Sequence, residues 1–268
     1  VLSRRYPHID FIDGYMIPTL QRRYSPDILG RRQLMRAVQA RPERKKINFI
    51  VNYYPVDPDT ELCTMLRSSG WEIGDFADCR TYEEYKDLGA GKTNIFFLEN
   101  SRPAAEDMEN RLHQESLYLP YSFFCEEIRA NLKIAAERFD LTLPDCDAYE
   151  EAIERKAAEL KANIGNIPIA IDCSATPRPL SLACFLLMHG FRVYAVFLDE
   201  ISAVEKDDFY FLQKYRPMLS LRSTMHYKRR LLGRDDVKKY GTVLAIGQKA
   251  AYFTGTNHFV NLIENSGL

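Results

Sequence analysis

Short apolar runs alternate along the chain with stretches of helical period, and the clearest example is residues 167–200, IPIAIDCSATPRPLSLACFLLMHGFRVYAVFLDE. The run 167–171 has the length of a buried strand. Residues 173–178 form a polar, proline-containing loop. Residues 180–189 are apolar on nearly every face and stop at Gly190, and 192–198 is a second buried strand. This spacing predicts a βαβ unit with a right-handed crossover and parallel strands covered on both faces. Thr176 is a candidate N-cap for the helix, with Pro177 at its first position.

The same alternation extends to both sides. In the first half the pattern predicts strands over 47–52, 71–76, 94–98 and 117–122. Helices are predicted over 30–39, 57–69, 81–88, 101–114 and 125–139, the third opened by a Thr81/Glu84 capping box. In the second half it predicts strands over 167–172, 192–198, 218–222, 242–246 and 258–263, with helices over 179–189, 204–214, 235–240 and 248–254. Strand–helix alternation of this kind implies an α/β fold with two Rossmann-like doubly wound parallel-sheet domains. We place them at 29–145 and 167–268, after a connecting segment 1–28 and on either side of a charged bridging helix in 146–166. Two such lobes imply a cleft as the default ligand site. Ligands of open parallel sheets bind outside the carboxyl ends of the strands, which makes the loop 173–178 the first place to look.

Composition narrows the class. With 46% hydrophobic and 27% charged residues the chain reads as a soluble globular protein, and its net charge of −1 gives no overall bias toward nucleic acid. Residues 1–46 carry eleven Lys or Arg against four Asp or Glu, which suits either a solvated helix and linker or contact with an acidic partner or anionic ligand. No apolar stretch approaches the roughly 18–20 residues of a membrane span. Neither a signal peptide nor an initiator Met is present, and Val1 opens in mid-pattern, so we expect a piece of a longer protein. Six cysteines without a CxxC pair argue for a reducing, cytoplasmic setting and against a self-contained zinc or ferredoxin-type site.

Few motifs carry chemistry. GAGKT at 89–93 mimics part of a phosphate loop, but Lys86 stands where the first glycine belongs and the segment precedes a strand. No GxGxxG occurs. The five histidines show no metal spacing: His189 ends an apolar helix, where packing or a dipole role fits best, and His258 follows TGTN as a candidate cleft residue. Cys173, between a strand and a helix, is either a thiol of lowered pKa, a metal ligand or a small buried residue. Arg178 and Lys249 start helices after two strands of one lobe, positions that suit either an anionic ligand or the plain surface. No catalytic residue stands out.

Longer stretches carry a family resemblance. In order, they are DGYMIPTLQRRYSPDILGRRQLMRAV, KKINFIVNYYPVDPDTELCTMLRSSGWEI, RTYEEY, TNIFFLENSR, LYLPYSFF, ATPRPLSLACFLLMHGFRVYAV and LAIGQKAAYFTGTNHFVNLIEN. Their order and spacing resemble the nitrogenase component 1 family, which includes the molybdenum–iron protein subunits, the cofactor-assembly scaffolds and the dark-operative protochlorophyllide reductase type. The resemblance implies Rossmann-like domains around an iron–sulfur or related metallocluster, a homologous component 1 subunit as partner, and an ATP-dependent iron protein as electron donor, in a bacterial setting. It implies no nucleic acid and no membrane. Nitrogenase has its cofactor-ligating cysteine where this chain has Leu98, with Asn94 and Ser101 retained nearby. The loop that is Gly-Gly-Leu-Arg-Pro-Arg in nitrogenase reads Cys173, Ser174, Ala175, Thr176, Pro177, Arg178 here. Gly247 and Lys249 look like the family's glycine and its lysine near the cofactor's organic acid. The family's P-cluster cysteines belong to an N-terminal domain, and its histidine ligand would lie past Leu268.

The cofactor-binding set implied in this way is Cys173, Ser174, Thr176, Arg178, Gly247, Gln248, Lys249 and Ser101, with no metal ligand among them. Clusters are held by thiolates, usually four at a time, so the ligands come from elsewhere or the site binds something else. The leading expectation is an oxidoreductase subunit that reduces a small molecule, such as a tetrapyrrole or an unsaturated or thioether compound. The alternatives are a metallocluster scaffold or carrier, and a non-redox two-lobed protein that binds a cofactor, a metal or a sugar nucleotide.

Overall fold

Apolar strands with side chains on both faces need cover on both sides, and the central strands here are placed accordingly. The structure, a computed structural model, describes residues 2–14, 24–228 and 236–260. The chain divides into two compact units. One runs through Tyr121 and takes in Ala130–Pro144, and the other comprises Ser122–Arg129 and the residues from Asp145 onward.

The first unit holds a parallel sheet in the order β2 (Glu72–Asp75), β1 (Lys46–Phe49), β3 (Thr93–Phe96), β4 (Glu115–Tyr118). Every residue of β1 and β3 is buried. A short α1 (Leu2–Arg5), which the pattern does not predict, precedes α2 (Pro26–Leu34), α3 (Glu61–Ser68), α4 (Tyr82–Asp87) and α5 (Arg102–Leu112). α3 shows why helical period matters: Leu62, Met65 and Leu66, three and four apart, are its buried face. α2 begins four residues earlier than its apolar pattern suggests, because the Ser25 side chain caps it and Pro26 fills the first turn. The Thr81/Glu84 capping box is present on α4. The helix expected over 125–139 is α6 (Cys125–Phe139).

Three amide side chains within and beside this sheet are linked to one another. Asn48 Nδ2 donates to Asn94 Oδ1 at 2.9 Å, Asn94 Nδ2 to Gln114 Oε1 at 3.0 Å, and Gln114 Nε2 to the carbonyls of Leu88 and Gly91. The amides thus form a ladder across buried backbone. GAGKT serves this packing: a Cβ on Gly91 would lie 2.2 Å from Asn48 Nδ2, and one on Gly89 would lie 1.8 Å from the Gln39 carbonyl oxygen. The segment is a close backbone approach and not a phosphate cradle.

The second unit holds a parallel sheet in the order β7 (Ser220–Arg222), β6 (Val193–Phe197), β5 (Ile169–Asp172), β8 (Leu244–Ile246), β9 (Phe259–Val260). Residues 261–263 of the last expected strand lie outside the described residues. The chain crosses from one side of β5 to the other between β7 and β8, so β5 and β8 flank the topological switch point. Side chains of β5 alternate between two cores. Ile169 and Ile171 join Leu180, Leu186 and Val196, while Ala170 joins Ala195, Phe197, Ala245 and Ala250. Helices α7 (Cys146–Ile164), α8 (Pro179–Met188), α9 (Lys206–Leu212), α10 (Asp236–Tyr240) and α11 (Gln248–Thr254) complete the unit. α7 is longer than its periodic stripe because Asp145 caps it, and Ala157 is its single buried residue. His189 closes α8 by packing on Phe185 at 4.2 Å, with Nε2 3.1 Å from Glu154 Oε1.

The start of α8 differs from expectation. Thr176 and Pro177 do not cap it. Thr176 Oγ1 instead accepts from Arg178 N within the preceding turn, and Pro179 is the first helical residue. The orphan amides of the first turn are met from a distance by the buried Glu205, whose Oε1 accepts from Leu180 N at 2.7 Å and Ser181 N at 3.2 Å. Burial pushes the Glu205 carboxyl above its ordinary value, and the Ser181 and Leu180 amides pull it back only in part. The folded state therefore binds this proton more tightly than the unfolded chain. The contribution of Glu205 to stability falls as pH rises through the window above its ordinary value of 4.5. Glu205→Gln should flatten that pH dependence in urea titrations. Glu205→Ala, which strands both amides, should cost about 1–3 kcal/mol at neutral pH.

Candidate functional site

The loops that leave the carboxyl ends of β5 and β8 meet at the switch point of the second unit. Asp172 is the last residue of β5, fully buried. Its Oδ1 accepts from Ser174 N at 2.6 Å and from the Ser174 hydroxyl, and its Oδ2 accepts from Ala250 N at 2.5 Å. One carboxylate thus shapes the loop after β5 and ties it to the first turn of α11. Gly247, between β8 and α11, has φ +105, and a Cβ there would lie 2.3 Å from Asp172 Oδ2. The glycine is required twice, by its backbone and by the carboxylate it faces.

With Gly247, this junction places five of the expected residues together. Cys173 is half-buried, and Lys249 Nζ lies 3.7 Å from its Sγ. Gln248 is exposed at the start of α11, and Ser174 is engaged with Asp172. Burial pushes the Cys173 thiol up, and the nearby Asp172 and Asp199 charges add to this against the opposing Lys249 ammonium. Of the three readings open for Cys173, this environment supports the half-buried small residue over the thiol of lowered pKa.

Asp199 was not apparent from the sequence. It follows β6, accepts from Thr224 N at 2.8 Å, Met225 N at 2.9 Å and both the Ser223 and Thr224 hydroxyls, and lies 3.8 Å from Lys249 Nζ. Burial raises its carboxyl pKa, but the Thr224 and Met225 donors together with Lys249 outweigh that and hold it below the ordinary carboxylate value. An Asp just past a buried strand, LDE at 198–200, is the one trace of it in the sequence.

Arg178 is turned elsewhere within the unit. It is buried, with Nη1 2.7 Å from Glu127 Oε2 and Nη2 3.4 Å from Asp208 Oδ2. Burial works against its charge, but the two carboxylates more than compensate. Thr176 is buried beside it, and His258 is exposed. Ser101 belongs to the first unit, where it is buried with its hydroxyl on the Val51 carbonyl at 3.2 Å. Leu98, also in the first unit, is buried.

The donor set does not fit a metallocluster. All six cysteines and all five histidines lie among the described residues, where no three His, Cys, Asp or Glu side chains converge for a metal, and no disulfide joins the cysteines. The thiols of Cys63, Cys79, Cys125, Cys173 and Cys184 are all pushed up by burial, the reverse of what a thiolate ligand needs. Among the described residues no helix is long and apolar enough to cross a membrane.

No protein-family model matches the chain, and no curated protein matches it. Solved structures do. Nitrogenase Cp1 at pH 6.5 superposes with a TM-score of 0.61 at 12% identity, over 89% of this chain and 58% of that one. Nitrogenase Cp1 at pH 5 superposes with a TM-score of 0.55 at 15% identity, over 91% and 57%. The chain spans under two thirds of the nitrogenase chains it matches. At this identity the likeness establishes the fold: two parallel-sheet α/β units of nitrogenase-like architecture.

Gly247→Ala tests the junction. It forces a Cβ onto Asp172 at a backbone angle that side chains avoid, and should cost about 2 kcal/mol or more in denaturant titrations. Ala250→Gly, which keeps the amide that Asp172 binds, should cost only about 1 kcal/mol.

Proposed function

We propose that this chain is part of a nitrogenase component 1-like reductase, paired with a homologous subunit. In this reading it contributes the binding wall for a small organic anion, and the electron-carrying group is held by residues outside the chain. The observation that carries the reading is the convergence of the loops after β5 and β8 at the switch point, with the Lys249 ammonium facing that edge. Its side chain is 45% exposed, and its distance to Asp199 is longer than a hydrogen bond, so a ligand carboxylate competes for it readily. The other obvious anion site in this unit is closed. The N-terminus of α8, where a dinucleotide phosphate would rest, is already filled by Glu205. Arg178 fixes the loop through Glu127 and Asp208, and acts on the ligand only through that loop.

Electrons in this reading come one at a time from an ATP-dependent iron protein. Reduction also consumes protons, and the Cys173 thiol, whose proton burial holds more tightly, and the Lys249 side chain lie at this edge as proton donors in this reading. A second reading is a carrier or scaffold that binds without turnover. The Lys249 edge supports it equally, because binding a small anion there needs no redox group in this chain.

Two measurements test these assignments. The chain purified without oxygen should contain substoichiometric iron and acid-labile sulfide. Two or more irons per chain with matching sulfide would show that the redox group lies within it. Titration calorimetry with citrate and succinate should show binding that Lys249→Ala weakens about tenfold, equivalent to about 1.4 kcal/mol, with partial recovery in Lys249→Arg. Turnover with an iron protein and ATP then separates the reductase from the carrier.

A further inference from the structure

The first unit has its own switch point, between β1 and β3, because the chain places β2 on one side of β1 and β3 on the other. The segment leaving β1 there is unusual in two ways. Val51 has φ +51, a left-handed conformation that a β-branched residue rarely adopts. Its carbonyl is pinned by two side chains, Arg31 Nη1 at 2.5 Å and Ser101 Oγ at 3.2 Å. The next residue, Asn52, is 5% exposed, and neither its Nδ2 nor its Oδ1 has a hydrogen-bond partner. It is the one carboxamide among the described residues whose nitrogen and oxygen are both buried and unmet. Arg31 is 7% exposed, and its guanidinium stacks 4.1 Å from the centre of the Tyr53 ring.

Buried polar groups in folded proteins are nearly always paired, and a carboxamide unmet at both of its atoms calls for an explanation. The strained, pinned backbone at Val51 fixes where Asn52 sits, so the amide is held in place at some cost to the fold. The location is the crevice in which open parallel sheets take their ligands.

We propose that the β1–β3 switch point of the first unit is a ligand subsite read by the Asn52 carboxamide, and that it takes a planar molecule with an amide-type edge, a lactam or a primary carboxamide. The chemistry selects this class. Asn52 offers a donor and an acceptor side by side, and an amide edge returns an acceptor and a donor in register. A carboxylate or phosphate would satisfy Nδ2 but set its lone pairs against Oδ1. An ammonium would satisfy Oδ1 but leave Nδ2 unmet. The Arg31–Tyr53 stack supplies a flat wall suited to a planar ring. The subsite is independent of the reading of the second unit, since neither Lys249 nor the loop after β5 enters it.

The test uses an isosteric pair, oxindole and 2-indanone, which differ by an N–H replaced with a CH₂. Saturation-transfer NMR on the full chain should show oxindole binding at least fivefold more tightly than 2-indanone. Asn52→Leu should abolish that preference and weaken oxindole at least tenfold. Without ligand the same variant should melt at a higher temperature, because it removes a buried unmet amide. Asn52→Ser, smaller and polar, should also lose the preference and covers the case in which the leucine variant does not fold. Equal binding of the two compounds, binding of neither, or oxindole affinity unchanged in either variant would overturn the proposal. Lys249→Ala should leave oxindole binding unchanged, which separates this subsite from the anion site.

Discussion

The arrangement of the second unit rests on one buried carboxylate. Asp172 ends the central strand β5 and takes its hydrogen bonds from two places: the turn it belongs to, at Ser174, and the first turn of α11, at Ala250. A buried charge is costly unless it is fully met, so those donors are not interchangeable with water. The constraint passes outward. Gly247 must lack a side chain because the carboxylate is there. α11 must begin where it does, and Lys249 is carried to the edge beside Cys173 and Asp199 as a result.

Charge is handled the same way throughout this unit. The helix end that commonly receives a ligand phosphate receives Glu205, and the arginine that ends the loop after β5 is neutralised by Glu127 and Asp208. These internal pairs are fixed by other parts of the chain. They leave Lys249, 3.8 Å from Asp199, as the more loosely paired cation beside the loops after β5 and β8.

Much of the scaffold was legible in the sequence because it follows from local rules. Apolar runs too short for helices became buried parallel strands, and Thr81 with Glu84 closed the α4 cap as a pattern of two residues can. What sequence could not show was anything set by distant residues. Glu205 caps a helix that starts at position 179, so Thr176 and Pro177, locally the better candidates, were displaced. The sequence left three readings of Cys173 open, because the burial that raises its thiol pKa, and the Asp199 charge that adds to it, come from distant parts of the chain. Asn52 carries no sequence signal: it is one polar residue in the apolar-to-polar transition IVNYYP, and its significance lies in what fails to surround it.

The amide ladder of the first unit has a consequence for how that sheet assembles. Apolar strands attract one another in almost any alignment, and an error of one residue costs little when every side chain is oily. Asn48, Asn94 and Gln114 remove that tolerance, because each finds its partner in only one alignment of β1, β3 and the residue before β4. A slipped strand would leave amides stranded in the core. The ladder therefore works as a combination lock on strand alignment: it fixes the depth at which the segment after β1 emerges, and with it the positions of Val51 and Asn52.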